Sequence, residues 1–446
     1  MRYGQRLAEG KGLTWTDGAK VEGYSNLMWT LMMAAVQRLG ATQATASAWI
    51  LALNAVCLGW LACAVRRLAR ALGAGAWAAV WAGIVCAFSF DFLRGALSGL
   101  EMVAVAALTA EALAQGAEAE AQGRAWRLWP FALAGMLALV RVDGAWAAGL
   151  ILGLGLRRER RWRRWAFAAG LALGPAFAAE IFRLVYYGAW VPNTYLLKAD
   201  YWPGKYGDAA AKLGLSLLRY PGAALAALGA LGIRRLRPYG AVLAALALYC
   251  IWSGEDYYDF FRFFAPGFPL LFALAFAVVE SFPGAKAKKI ACAALAVLSL
   301  NALTDLGDLF FAGWDRSREL VEIGVTLGRK LPANDVLASC WAGDVFYFSG
   351  LRGVDLLGKC DAHVAAVRPD PSLGGSGHNK MDLEYSFSKL KPDWILVPVP
   401  TFSARDEAYT IAPYDLRVLQ NSSFQKHCYA SLEQISPRWA LCHCRW

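Results

Sequence analysis

The stretch RRERRWRRWAFAAGLALGPAFAAEIFRLVYYGAWVPNTYLLK (157–198) decides the fold class. It opens on a run of arginines: Arg157, Arg158, Arg160, Arg161, Arg163 and Arg164. It continues through an almost uninterrupted apolar segment, 165–187, and ends in aromatic and polar residues that include Pro192, Asn193 and Lys198. Crossing ~30 Å of hydrocarbon takes about 20 mostly apolar residues, and Lys/Arg clusters collect on the cytoplasmic flank of such segments. The same grammar recurs on both sides. Apolar stretches fit to span lie at 47–66, 74–93, 98–116, 126–142, 143–157, 165–187, 212–233, 239–254, 263–281 and 288–305. Residues 25–39 are too short to span and read as a helix lying at the membrane interface.

Composition agrees. Of 446 residues, 58% are hydrophobic and only 18% charged, against about 25% charged in a soluble domain. One soluble core does not reach this size with so few charges. The net charge of +11 is carried largely by loop arginines, which argues for topology and against a nucleic-acid partner. Arg66, Arg67 and Arg70, the 157–164 run, Arg234, Arg235 and Arg237, and Lys286, Lys288 and Lys289 all fall on one side with these spans. That side is the cytoplasm.

The expected fold class is therefore an α-helical polytopic membrane protein of about ten transmembrane helices with a C-terminal soluble α/β domain. Residues 1–46 form an outer (periplasmic) segment with the interfacial helix, 47–305 the transmembrane domain, and 306–446 the outer α/β domain. Within the last, 336–340, 345–348, 353–357 and 394–399 read as short buried strands. Residues 314–330 read as an amphipathic helix, with Leu320, Ile323, Leu327 and Leu331 at helical spacing, and 370–380 as a flexible loop. Among the C-terminal cysteines, a disulfide drawn from Cys428, Cys442 and Cys444 suits an oxidising compartment; zinc held with His427 and His443 is the alternative.

Ionisable groups at membrane depth are costly and point to function, and here they gather on the outer side. Glu22, Tyr24 and Asn26 combine a carboxylate, an aromatic ring and an amide, which suits sugar binding; Asn26 or Ser25 as a cap of the following helix is the competing reading. Glu101 starts a spanning helix, where the dipole favours a negative charge. Arg141 and Asp143 form either a structural ion pair or, through the arginine, a phosphate contact. Asn193 and Lys198 follow a span, and Lys198 is placed to approach a phosphate. Glu255, Asp256 and Asp259 beside Arg262 need a cation, protons or bases to relieve their repulsion. No cofactor motif stands out; a divalent cation there is the candidate. His378 sits where the soluble domain's loop reaches the cavity, with a surface histidine as the equal alternative.

These motifs, in this order, resemble the membrane-embedded C-type glycosyltransferases that use polyprenyl-phosphate sugars, and are most similar to the mycobacterial terminal β-(1→2)-arabinofuranosyltransferases. The matching stretches are 2–29, SGLE (98–101), RVDG (141–144), YYGAWVPNTYLLKA (186–199), GEDYYDFFRFFAP (254–266), YFSGLRGVDLLGKCDAHVA (347–365), GHNKMDLEY (377–385) and KPDWILV (391–397). The resemblance implies eleven or more helices, an outer catalytic cavity and a periplasmic α/β domain in a bacterial inner membrane. It also implies inverting transfer of a sugar, arabinofuranose or another pentose or hexose, from a polyprenyl-phosphate donor to a glycan or lipid acceptor. A carboxylate serves as general base, and basic groups or a metal stabilise the leaving phosphate. Glu22 and Asp256 are the catalytic candidates. Tyr24, Asn26, Arg141, Asp143, Asn193, Lys198, Arg262 and His378 are the donor and acceptor candidates. In that family a first spanning helix and an Asp-Asp pair precede the position matching Arg2-Tyr3. The expectation is that the start is assigned too far downstream. A true start at Met1 implies an inactive assembly protein, or Glu22 in place of the missing base. A transporter or lipid flippase is the rival class, since it too needs a polar intramembrane cavity.

Overall fold

The structure is a computed structural model that describes residues 1–157, 159–201, 203–254, 260–300, 314–399 and 411–446. The N-terminal segment holds α1 (Arg2–Ala8) and α2 (Leu27–Arg38). The helical body runs through α3 (Ala46–Ala71), α4 (Ala76–Ala87), α5 (Phe90–Leu97), α6 (Met102–Ala121), α7 (Trp129–Val140), α8 (Gly144–Leu156) and α9 (Trp162–Tyr187). It continues with α10 (Asn193–Ala199), α11 (Lys205–Leu218), α12 (Pro221–Gly229), α13 (Arg237–Ser253), α14 (Phe268–Val279) and α15 (Ala285–Ser299).

Every stretch expected to span contains helix, but their lengths differ from the expectation. Among the described residues α3 and α9, 26 residues each, are long and apolar enough to cross, and α4 with α5 passes the same test only as a pair, bent by 44°. The apolar helices α7, α8 and α14 have 12, 13 and 12 residues, which at 1.5 Å per residue reach only about 18–20 Å. The stretch 212–233 is not one helix. Pro221 starts α12, because its ring removes the N–H that would continue α11. At the centre, α6 buries most of its length among alanines. On the periphery, α9 leaves Phe167, Phe177, Ile181 and Val185 exposed, an apolar face of the kind that lipid covers.

The basic clusters meet at one end of the bundle. Arg67 pairs with Glu118 (2.7 Å) and Arg157 with Glu120 (2.6 Å), both acceptors lying in the last turn of α6. Arg235 packs on Gly73, and Lys288 pairs with Glu280 (3.2 Å), which also accepts the Gly75 N–H.

The C-terminal domain is a five-stranded sheet ordered β2-β1-β3-β5-β4. Its strands are β1 (Val336–Ser339), β2 (Arg352–Asp355), β3 (Trp394–Pro398), β4 (Glu433–Ser436) and β5 (Trp439–His443). β1 pairs in parallel with β2 and β3; β5 pairs antiparallel with β3 and β4. The expected strand at 345–348 is instead a helix, Asp344–Ser349; a short, fully buried apolar run carries no periodicity that separates the two. The expected loop 370–380 is anchored: Ser376, Asn379 and Lys380 are buried. Cys428 and Cys444 form a disulfide, and Cys442, two residues before Cys444, stays a buried thiol on β5.

Strand residues alternate between two cores. Ala338, Ile395, Val397, Ala440 and Cys442 face one core. Leu337, Leu396, Trp439 and Leu441 face the other, shared with Leu320, Ile323 and Leu327 and with Tyr3, Trp15 and Tyr24 of the N-terminal segment. That segment is clasped to the domain by Arg2, which is buried. Its guanidinium donates to the carbonyls of Trp15 (2.7 Å), Leu351 (2.6 Å) and Phe346. Replacing Arg2 by Met leaves three buried carbonyls without this donor, at a cost of about 3 kcal/mol. Limited proteolysis of the purified chain should then cut between residues 8 and 26 faster than in the unaltered protein. Equal resistance would show that the clasp is dispensable.

Candidate functional site

Three stretches distant in sequence meet at the end of α7. Arg141, buried, leaves the helix in an extended conformation. Its Nε and Nη2 each donate to Asp143, both at 2.8 Å, and its Nη1 donates to Glu101 at 3.0 Å. The other oxygen of Glu101 accepts the Asn26 amide at 2.9 Å, and the Val142 N–H donates to the Ser25 carbonyl at 2.9 Å. Asn26 and Glu101 stand at helix N-cap positions, yet neither side chain accepts a backbone N–H of the helix it begins; Asn26 Oδ1 accepts the Thr30 hydroxyl at 3.2 Å instead. The capping alternative for Asn26 therefore gives way, while the Arg141–Asp143 ion pair is present. Breaking one partner of a buried pair costs 3–5 kcal/mol in typical cases, roughly, so the knot resists loosening.

The ring of Phe263 is the second focus. Arg141 and Lys198 approach it from two other elements, at 5.2 and 5.1 Å from the ring centroid, and Arg262, its neighbour in the chain, lies at 5.6 Å. The quadrupole of one ring attracts each cation, but like charges crowded away from water repel. A small recess opens beside them, lined in part by Arg141, Asp143, Trp146, Tyr249 and Phe263. Trp146 and Tyr249 stack at 5.8 Å and form an aromatic wall. Positive groups, one carboxylate and aromatic faces around a recess suit an anionic ligand that carries a sugar or an apolar chain. Phe263, Trp146 and Tyr249 were not singled out by sequence; aromatic residues are so frequent here that only their place around the recess marks them.

Glu22 and Tyr24 belong to a neighbouring cluster. The Glu22 carboxylate is buried and accepts two hydrogen bonds from Arg183, which also pairs with Glu180. Burial raises the Glu22 pKa, and Arg183 opposes that rise. The Tyr24 and Tyr187 hydroxyls lie 3.1 Å apart, and Tyr187 donates to the Leu13 carbonyl at 2.8 Å. The backbone links the clusters: the Glu22 carbonyl accepts the Asn193 N–H at 3.0 Å.

Asn193 does not line the recess. Its amide donates to the carbonyls of Gly358 (2.6 Å), Lys359 (3.2 Å) and Asp361 (3.1 Å) and so holds the C-terminal domain. Lys380 acts alongside, donating to Leu196 (3.0 Å) and Ala365 (2.9 Å). His378, next to this anchor, stacks on Tyr414 at 5.8 Å; it is a packed residue of the interface, not one on a mobile loop. Asp256, with Glu255 and Asp259, lies outside the described residues.

Residues 312–440 match the model of a domain of unknown function (DUF8728). No curated protein matches the chain in sequence. Two crystal structures of ArnT from Cupriavidus metallidurans match it in three dimensions. The apo form has a TM-score of 0.60 at 13% identity, covering 99% of this chain and 92% of that one. The form bound to undecaprenyl phosphate has a TM-score of 0.59 at 14% identity, with the same coverage. The chain thus has an ArnT-like, C-type glycosyltransferase fold: a helical membrane body with a small sheet domain at its C-terminus.

Proposed function

We propose that this protein is a membrane glycosyltransferase that moves a sugar from a polyprenyl phosphate to a hydroxyl of a cell-envelope glycan or lipid. The observation that carries this is the meeting of Arg141, Lys198 and Arg262 around Phe263 beside the recess. Departure of the lipid phosphate concentrates negative charge where the bond to the anomeric carbon breaks. Cations fixed in advance around that point stabilise the charge without reorganising. The aromatic wall of Trp146 and Tyr249 offers flat apolar faces to the sugar or to the first units of the chain. That ArnT of the same fold has been crystallised with undecaprenyl phosphate supports a lipid of this class.

The sign of the charge at the two ends supports the direction in the membrane. Basic clusters gather at the end of the bundle away from the knot, which sets that end in the cytoplasm of a bacterial inner membrane. The knot, the recess and the C-terminal domain then lie outside. The described carboxylate we assign as candidate base is Glu22, whose pKa burial moves toward the range where a base works best; Asp256 is the second candidate. The motif resemblance favours arabinofuranose among the sugars and inversion at its anomeric carbon.

Release of polyprenyl phosphate from a polyprenyl-phosphate sugar by membranes containing the chain separates an enzyme from a transporter or an inactive assembly protein. Arg262→Ala removes a charge-assisted contact of about 1.5–3 kcal/mol, so release should fall about ten- to hundredfold. Unchanged release would take Arg262 out of the phosphate site. Glu22→Gln should abolish sugar transfer yet leave binding of undecaprenyl phosphate intact. Joint loss of transfer and binding would mark Glu22 as a tie to Arg183 and not a base.

A further inference from the structure

After β2 the chain turns sharply at Gly358. Its φ of +73° and its packing against Val364 and Ala365 leave no room for a side chain. The turn is fastened from both sides. Buried Asp355 accepts the N–H groups of Leu357 (3.1 Å) and Cys360 (2.7 Å). From α10, Asn193 grips the carbonyls of Gly358, Lys359 and Asp361. Lys359 is therefore held at the seam between the small domain and the membrane body.

Its Nζ lies 3.1 Å from Nε2 of His378. Burial, with Lys359 and Lys198 nearby, pushes the His378 pKa down to about 3, so the imidazole is neutral. A lysine ammonium only donates, so Nε2 accepts. One bond to a neutral ring uses one of three donors, and buried Asp355 acts on the ammonium as a counter-charge. Burial lowers the Lys359 pKa; Asp355 opposes this and Arg262 adds to it. On the far side of His378, the Cβ position of Gly377 lies 3.5 Å from Cε of Lys198. Lys198 stands over Phe263. Lys359, His378, Lys198 and Phe263 thus form a continuous line from the sheet domain to the recess. A phosphate seated along this line would take up the donors that His378 leaves to Lys359.

We propose that the C-terminal domain completes the donor site, with Lys359 as a further phosphate-binding residue for the polyprenyl phosphate and His378 as the residue that positions it. This rests on the reading of the recess as a lipid-phosphate site. The domain is then part of the binding site, and its attachment through Asn193 and Lys380 sets the position of a charge.

The test uses the full chain in lipid nanodiscs with undecaprenyl phosphate and undecaprenol as probes. Lys359→Met should weaken undecaprenyl phosphate binding tenfold or more, roughly the effect of one charge-assisted contact. Lys359→Arg should retain most of the affinity, and undecaprenol binding should be equal in all variants. In the unaltered chain, undecaprenyl phosphate but not undecaprenol should slow acetylation of Lys359, read by mass spectrometry; this needs no variant to fold. Full binding by Lys359→Met with loss in Arg262→Ala, or no protection of Lys359, overturns this inference alone. An unaltered chain that does not tell the phosphate from the alcohol overturns the site reading and this inference with it.

Discussion

A guanidinium buried at the end of a short helix holds one end of the bundle together. Arg141 shares its donors between Asp143, two residues on, and Glu101, at the start of the central helix α6. Glu101 in turn holds Asn26. The N-terminal segment, α6 and the α7–α8 turn are thereby fixed relative to one another by charge-assisted bonds in a place where water does not compete. The face of the same arginine lies against Phe263, so the knot that organises the helices also builds one wall of the recess. The structural reading offered by the sequence is present in these ion pairs, and the same side chain borders the recess.

The N-terminal segment gains its shape from what lies on both sides. It has no extended core of its own: Tyr3, Trp15 and Tyr24 are buried in the core under one face of the C-terminal sheet. Glu22, Ser25 and Asn26 bond to the membrane helices and their loops. The segment therefore works as a wedge between bundle and sheet. The Arg2 clasp, the Asn193 bracket and the Lys380 anchor close the same seam at other points. All three use side-chain donors on backbone carbonyls. Such contacts fix the geometry beside the apolar core that the segment shares with the sheet, and that suits a seam which keeps charged groups nearby.

The helical body shows why length is a poor guide inside a membrane protein. α14 is buried along its whole length, so neighbouring helices and not lipid decide where it stops. α9 is largely exposed and runs the full 26 residues. An outer helix must match the hydrocarbon thickness; an enclosed one need only match its neighbours. Breaks fall where backbone chemistry demands them, as at Pro221, or where polar groups meet, as at the α4–α5 bend beside Asp91. That buried carboxylate takes up Tyr220 and the N–H of Phe261.

Composition, the recurrence of apolar runs and the placement of arginines were enough to read a polytopic helical protein with a soluble α/β end. Those properties are one-dimensional: hydrophobic length and charge sign do not depend on partners. The helix at 314–330 was legible through its periodicity, and the strands expected at 336–340, 353–357 and 394–399 as short apolar runs bounded by Gly, Pro and Asp. The helix at Asp344–Ser349 was not, because a run buried on every side has no polar face to betray its period. Strands β4 and β5 were hidden behind the Cys/His pattern that drew the eye. The site divides along the same line. That Arg141, Lys198 and Arg262 are costly charges flanking apolar runs follows from the sequence. That they surround one ring, that Asn193 and Lys380 face backbone carbonyls, and that Lys359 reaches the same seam from the sheet domain was decided by the tertiary structure alone. Distance between residues remote in the chain is set by packing, and no local pattern encodes it.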